Sequence, residues 1–301
     1  RDLVRSRGLG DVYKRQGEYA AQNWNEFSIY LGGESKFPNL HKQIPYPVDD
    51  SSILPFYDLQ AFLSSSDNSY LNTINIIGNP FSYPYKAELM DLLYSIPVKK
   101  NFYLTASTAC RFIKEIQQID LPNYELYIYY EQEEASIHHI LTEKQIPFHW
   151  IYLISSEKQY EDLEKLETKY GNEYVEVHPI YTGDNLPFFE ENVYLAEEDI
   201  LQSNYDKQDI FAHQVMNTNF WGRLSVLPDG KVYSNLNHPP LGTLKDRVYD
   251  LIVDEMTSKR AWRWIRDEVS PCKDCLFRYL CPSPSNYELV IGKPNLCHVK
   301  P

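Results

Sequence analysis

Apolar residues fall into two alternating rhythms along most of the chain. Short runs of β-formers at 27–31, 73–77, 102–105, 126–130, 150–154 and 174–180 predict strands. Between them, apolar spacing near 3.6 residues predicts helices over 55–65 (Phe56, Leu59, Phe62, Leu63), 85–95 (Leu89, Leu92, Leu93) and 109–119 (Phe112, Ile113, Ile116). Two more helices are predicted over 135–144 and 157–170, the latter through Leu163 and Leu166. Six strand–helix alternations imply a parallel sheet covered by helices, and the periodicity fits an open or a curled sheet equally. Farther on, residues 223–227 and 231–233 around Pro228-Asp229-Gly230 predict a β-hairpin. Leu241-Gly242 then leads into a helix with Leu244, Val248, Leu251 and Ile252 on one face, expected to end near Val269. The polar stretch before the hairpin, about 191–220, yields no assignment.

Composition changes the picture in three ways. The opening residues 1–16 are unlike the rest, resemble translated sequencing-adapter sequence, and are left out of fold reasoning. Without their five basic and two acidic residues the formal charge moves from −13 to −16. Such an acidic chain does not suit nucleic acid or anionic membrane surfaces, and suits protein or peptide partners. At 43% hydrophobic residues it is an ordinary globular chain, long enough for one large domain and a small one. No apolar run reaches the roughly 18 residues that a membrane span needs, and nothing suggests export, so a reducing cytoplasm is expected.

Four of the five cysteines lie near the C-terminus, Cys272, Cys275, Cys281 and Cys297, spaced C-x2-C-x5-C-x15-C. The C-x2-C pair places two thiolates on one tight turn, and two more from nearby loops complete a four-sulfur shell for zinc or an iron–sulfur cluster. Disulfides are the duller reading and fit a reducing compartment poorly. Lys273 and Arg278 would help to keep the thiolates ionised.

Hairpin, Leu-Gly, helix and clustered cysteines, in that order, resemble the SPASM domain of radical SAM peptide-maturing enzymes. The most specific stretches are Cys281-Pro-Ser-Pro-Ser-Asn-Tyr-Glu and Ile291-Gly292-Lys-Pro-Asn-Leu-Cys297. SPASM domains usually hold two auxiliary four-iron clusters. The extra cysteine positions of the first correspond here to Ser234 or Asn235 and to Ser285, so the resemblance implies that this cluster is lost and the second retained. Upstream, the same resemblance implies a partial (β/α)6 barrel whose first loop carries C-x3-C-x2-C. That loop corresponds to Gly32–Leu54 and contains no cysteine. The Gly-Gly-Glu-Pro turn that receives the ammonium of S-adenosylmethionine is here Ile77-Gly78-Asn79-Pro80, without the carboxylate.

Over residues 24–301 the pattern resembles the pseudo-radical-SAM proteins of the GG-Bacteroidales peptide system. The resemblance implies an α/β partial barrel over 24–190, a connector over 191–221 and a SPASM-like domain over 222–301. It implies one 4Fe-4S cluster on Cys272, Cys275, Cys281 and Cys297, with zinc as the alternative, and no bound S-adenosylmethionine. The expected function is non-catalytic binding of a precursor peptide or of other maturation proteins. A redox enzyme using the retained cluster is the competing reading.

Other side chains carry plainer expectations. Cys110 is expected as a small buried apolar residue, and His138-His139 as a solvated helix face, since neighbours on a helix point about 100° apart. His298 is expected to stand beside the cysteine shell as a bystander. Glu131, Glu133 and Glu134 follow the fourth strand, either as a solvated loop or as an acidic rim for a peptide.

Overall fold

The computed structural model describes residues 22, 24–33, 35–65, 70–131, 135–171, 175–258 and 260–299. Residues 1–16, Glu133 and Glu134 lie outside the described residues. Six parallel strands appear where alternation predicts them: β1 (Glu26–Tyr30), β2 (Thr73–Ile77), β3 (Lys99–Thr105), β4 (Tyr124–Tyr129), β5 (Phe148–Ile154) and β6 (Val175–Pro179). The hairpin is β7 (Arg223–Val226) and β8 (Lys231–Tyr233), and β9 (Gly242–Thr243) extends it. All nine form one sheet in the order β6-β5-β4-β3-β2-β1-β7-β8-β9. Because β7 runs parallel to β1, pairing Glu26 with Arg223 and Ile29 with Val226, the hairpin continues the parallel sheet directly. β6 and β9 lie at the two ends of that order.

Helices cover one face. They are α1 (Phe56–Ser64), α2 (Lys86–Ser95), α3 (Ala106–Arg111), α4 (Ile113–Ile116), α5 (Ala135–Glu143) and α6 (Glu157–Tyr170). Their apolar stripes, such as Leu59, Phe62 and Leu63 on α1, pack on alternate strand residues including Phe27, Ile29, Ile74, Ile76, Phe102 and Leu104. The expected helix over 109–119 starts earlier and breaks at Phe112, whose ψ of 26° interrupts the helical path between α3 and α4. The stretch before the hairpin holds α7 (Leu186–Asn192), α8 (Glu197–Leu201) and α9 (Lys207–Val215).

The helix expected to reach Val269 ends much sooner: α10 spans Val248–Ser258. The cause is Glu255, fully buried, whose carboxylate Oε1 accepts the backbone N–H groups of Ala261 (2.7 Å) and Trp262 (2.8 Å). A carboxylate that captures those donors turns the chain out of the helix. The last helix, α11 (Asn286–Ile291), starts on a capping box between Ser285 and Glu288.

The other face of the sheet carries Glu26, Ser28 and Tyr30 of β1, and it is polar and aromatic. Asn75 donates to Glu26 and Ser28, Asn101 donates to Asn75, and Tyr103, Tyr127 and His149 stack in turn across three strands. Residues of β1, β6 and β7 line one cavity of about 310 Å³ on this side, so the sheet curls far enough to bring His178 across from Arg223. A curled α/β sheet with helices outside agrees with the fold expected from the sequence.

Candidate functional site

Two places carry candidate chemistry: the inner face where the strands end, and the cysteine-bearing segment from about residue 260 onward, called the cap below. The loop from β1 to α1 decides the first. It turns back into the curl and buries Leu40, Ile44 and Tyr46 against Tyr129, Ile151 and Ile180. The Tyr129 hydroxyl donates to Pro45 O, and Tyr46 meets Tyr129 edge-on at 4.8 Å. Gln43 makes two bonds to Tyr181, donating to its carbonyl and accepting from its N–H, both at 2.8 Å. Asn237 donates to Lys42 O (2.8 Å) and Asn286 to Gln43 O (3.2 Å). The loop at the place of the cluster-binding loop in the SPASM-type enzymes is thus a stopper of apolar side chains, tied to the segment after β6, to Asn237 and to α11.

Beside the stopper, the turns after β1, β2 and β3 surround an open cavity of about 370 Å³. The turns touch backbone to backbone: a Cβ on Gly78 would stand 2.5 Å from Gly32 O, and one on Gly32 would stand 2.5 Å from Asp50 O. Asn79, at the position of the missing carboxylate, is occupied with its own turn. Its Oδ1 accepts from Phe81 N and Ser82 N while Nδ2 donates to Ser82 Oγ. Glu131 is likewise used locally, ion-paired with Lys36 at 2.5 Å and accepting from Ser107 N.

His41 lines the inner cavity from the stopper. Burial, reinforced by Lys42, pushes its pKa down to about 4. The unfolded chain, with a pKa near 6.5, therefore binds more protons than the folded one between pH 6.5 and 4. His41 favours folding fully above pH 6.5, and that contribution is lost as pH falls toward 4. Urea unfolding at pH 7, 6 and 5 should show this decline, and His41→Asn should flatten it.

The cap brings its four predicted cysteines together. Cys272, Cys275, Cys281 and Cys297 all line one small cavity of about 30 Å³, whose apolar wall includes Leu195, Ile200, Leu296 and Val299. None of the four is in a disulfide. Cys272 sits on a 3-10 turn with Cys275 N bonded to Cys272 O at 3.0 Å, the tight turn that C-x2-C spacing predicts. Cys297 forms an isolated bridge with Leu195, through Leu195 N to Leu296 O and His298 N to Leu195 O, both 3.0 Å. Nitrogen donors face the sulfurs: Arg266 Nη1 lies 3.8 Å from Cys272 Sγ and Asn295 Nδ2 3.4 Å from Cys297 Sγ. Burial pushes the Cys281 thiol up to about 11 and raises that of Cys272, with Arg266 pulling both the other way. This donor set fits a thiolate-bound metal group, whose positive charge would ionise the sulfurs. Among the described residues no group of three His, Cys, Asp or Glu side chains stands in an arrangement that would hold a metal ion.

The two positions where the resemblance expects further cysteines have other work. Ser234 donates to Glu255 Oε2 at 2.6 Å, and Asn235 donates to Asn286 Oδ1 at 2.7 Å. Ser285 caps α11, bonded to Glu288 through both its N–H and its hydroxyl.

Several expectations need correction. Cys110 is exposed rather than buried. His138 is no solvated residue: it accepts from Trp150 Nε1 at 3.2 Å and packs edge-on to Phe148, while His139 is exposed. His298 needs none: expected as a bystander to the cysteines, it bonds Glu190 O at 2.7 Å. Sequence reasoning missed Arg266, Glu255 and Asn217. Asn217 is fully buried and donates to Trp264 O and Pro284 O, joining the connector to the cap. Only Glu288 had a legible signal, as the last residue of Ser285-x-x-Glu288.

No family model matches the chain, and no curated protein sequence matches it. Among solved structures it is similar to Streptococcus suis SuiB bound to precursor peptide SuiA, with a TM-score of 0.54 and 11% identity over 97% of this chain and 80% of that one. A second SuiB structure gives 0.53 at 10% identity, covering 91% and 77%. The protein anSMEcpe with bound AdoMet and the Kp18Cys peptide gives 0.51 at 13% identity, covering 85% and 88%. At such identities the likeness is one of fold: an α/β architecture built on a parallel sheet.

Proposed function

We propose that this chain is a non-catalytic, radical-SAM-like protein of ribosomal peptide maturation, which binds a precursor peptide or its maturation partners. The observation that carries this is the Gly32–Leu54 loop. It has no thiolate, and its Leu40, Ile44 and Tyr46 fill the inner face instead of presenting a metal group there. Asn79 offers an amide already spent on its own turn where an ammonium would need a carboxylate. The fold shared with proteins crystallised with peptides supports a peptide partner.

Cys272, Cys275, Cys281 and Cys297 would hold one 4Fe-4S cluster, forming the SPASM-like part with residues 222–301. Four thiolates around one cavity can hold either group, and the likeness to the SPASM pattern is what favours the cluster over zinc. Such a group, bound by four cysteines, supplies structure or electron transfer. The hydrogen bonds made by Ser234 and Ser285 favour a single cluster over two. Zinc in the same shell, or a redox enzyme that uses the cluster, are the readings to be told apart.

The test combines two measurements on anaerobically purified protein. Reduced protein incubated with S-adenosylmethionine should release no 5′-deoxyadenosine above a cluster-free control. Release above that control overturns the non-catalytic reading. Iron, sulfide and zinc analysis decides the metal, and a pull-down with products of neighbouring genes identifies the peptide or partner.

A further inference from the structure

Arg266 is buried and spends its whole guanidinium inside the cap. Its Nε donates to Pro282 O at 3.0 Å, on the residue that follows Cys281. Its Nη1 donates to Pro294 O at 3.2 Å, in the segment leading to Cys297, and lies 3.8 Å from Cys272 Sγ. Its Nη2 pairs with Glu288 Oε1 at 2.7 Å, with both side chains almost wholly out of solvent. Glu288 in turn holds Ser285 with its other oxygen. One rigid fork therefore spans the segments of three cysteines, and the fourth, Cys275, is tied to Cys272 by the turn.

We infer that Arg266 is the positioning residue of the four-cysteine centre: it sets the thiol-bearing segments for the metal group and, through an N–H at the Cys272 sulfur, favours that group's reduced state. This rests on the four-cysteine reading given above. The planar guanidinium reaches separate acceptors at fixed angles, which a lysine ammonium cannot do. Partners behind metal ligands orient them, and hydrogen bonds to cluster sulfurs and nearby positive charge stabilise the more negative oxidation level. A residue that only braced the fold would leave the potential unmoved.

The test compares three anaerobically prepared full chains: wild type, Arg266→Lys, and the pair Arg266→Gln/Glu288→Gln. The pair removes both charges, so neither is left buried alone. Retention of iron against a chelator should fall about tenfold or more in the pair variant, and by less in Arg266→Lys. The midpoint potential should move to more negative values in Arg266→Lys, which loses the N–H at the Cys272 sulfur. In the pair variant the two lost charges oppose each other, so retention is its reading. Wild-type retention in both variants, with a wild-type potential in Arg266→Lys, overturns the inference. Should the pair variant fail to fold by circular dichroism, Arg266→Lys decides on the same two readings. A wild-type chain without iron or zinc overturns the four-cysteine reading itself. One that carries zinc overturns the reduced-state part and leaves positioning to be judged by retention.

Discussion

Cys275→Ser is expected to abolish metal retention and to unfold the cap while the curled sheet stays compact. Cys275 contributes one of four thiols around a single cavity. The segments of the cap are short turns and the six-residue helix α11, joined by the side-chain bonds of Arg266 and Glu288. Metal binding at such sites is coupled to folding by on the order of 10 kcal/mol for zinc, more than a small cap can replace. Limited proteolysis should therefore cut the variant after about residue 260 and spare β1–β6. A variant that keeps wild-type protease resistance and metal content would show that Cys275 is no ligand.

Leu40→Ala combined with Tyr46→Ala should produce the second large effect. Both side chains are almost fully buried against Tyr129, Ile151 and Ile180. Each truncation in such a setting costs about 2–5 kcal/mol, with some loss of additivity because the two share neighbours. The consequence is local before it is global: the stopper lifts, and the Gln43–Tyr181 bonds no longer hold it to the segment after β6. Hydrogen exchange should speed up at Leu40–Tyr46 and at the end of β5, and the tyrosine-lined inner face should open to solvent. Unchanged exchange at those amides would mean that the loop is held by its polar anchors alone.

What was legible in the sequence is what is local. Leu59, Phe62 and Leu63 lie on one stripe because a helix repeats every 3.6 residues, and Pro228-Asp229-Gly230 must turn wherever it stands. The cysteine spacing is equally local, and it delivered a set of four thiols around one cavity. What escaped depends on partners distant in the chain. The helix end at Ser258 is set by the buried Glu255, whose role appears only once Ser234, Ala261 and Trp262 surround it. His138 reads as a surface residue until Trp150 arrives from the next strand. Leu40, Ile44 and Tyr46 read as an unstructured loop because nothing in their spacing reveals the tyrosine wall they cover. Arg266 has no neighbouring motif at all.

The placement of β7 against β1 bears on how the molecule is made. β1 is synthesised before the other strands of the sheet, and its Phe27 and Ile29 can find β2 soon afterwards. Its other edge waits for Arg223–Val226, synthesised after β6 and after the whole connector. Until then the nascent chain carries an open strand edge of the kind that pairs with wrong neighbours. Contacts of such sequence separation are slow to form, because the intervening chain must first be closed into a loop. A fragment stopped near residue 190 would keep that edge uncovered permanently and should be prone to aggregate, although it contains six of the seven parallel strands. The curled sheet and the hairpin that extends it are thus one folding unit, completed only when the last parallel strand leaves the ribosome.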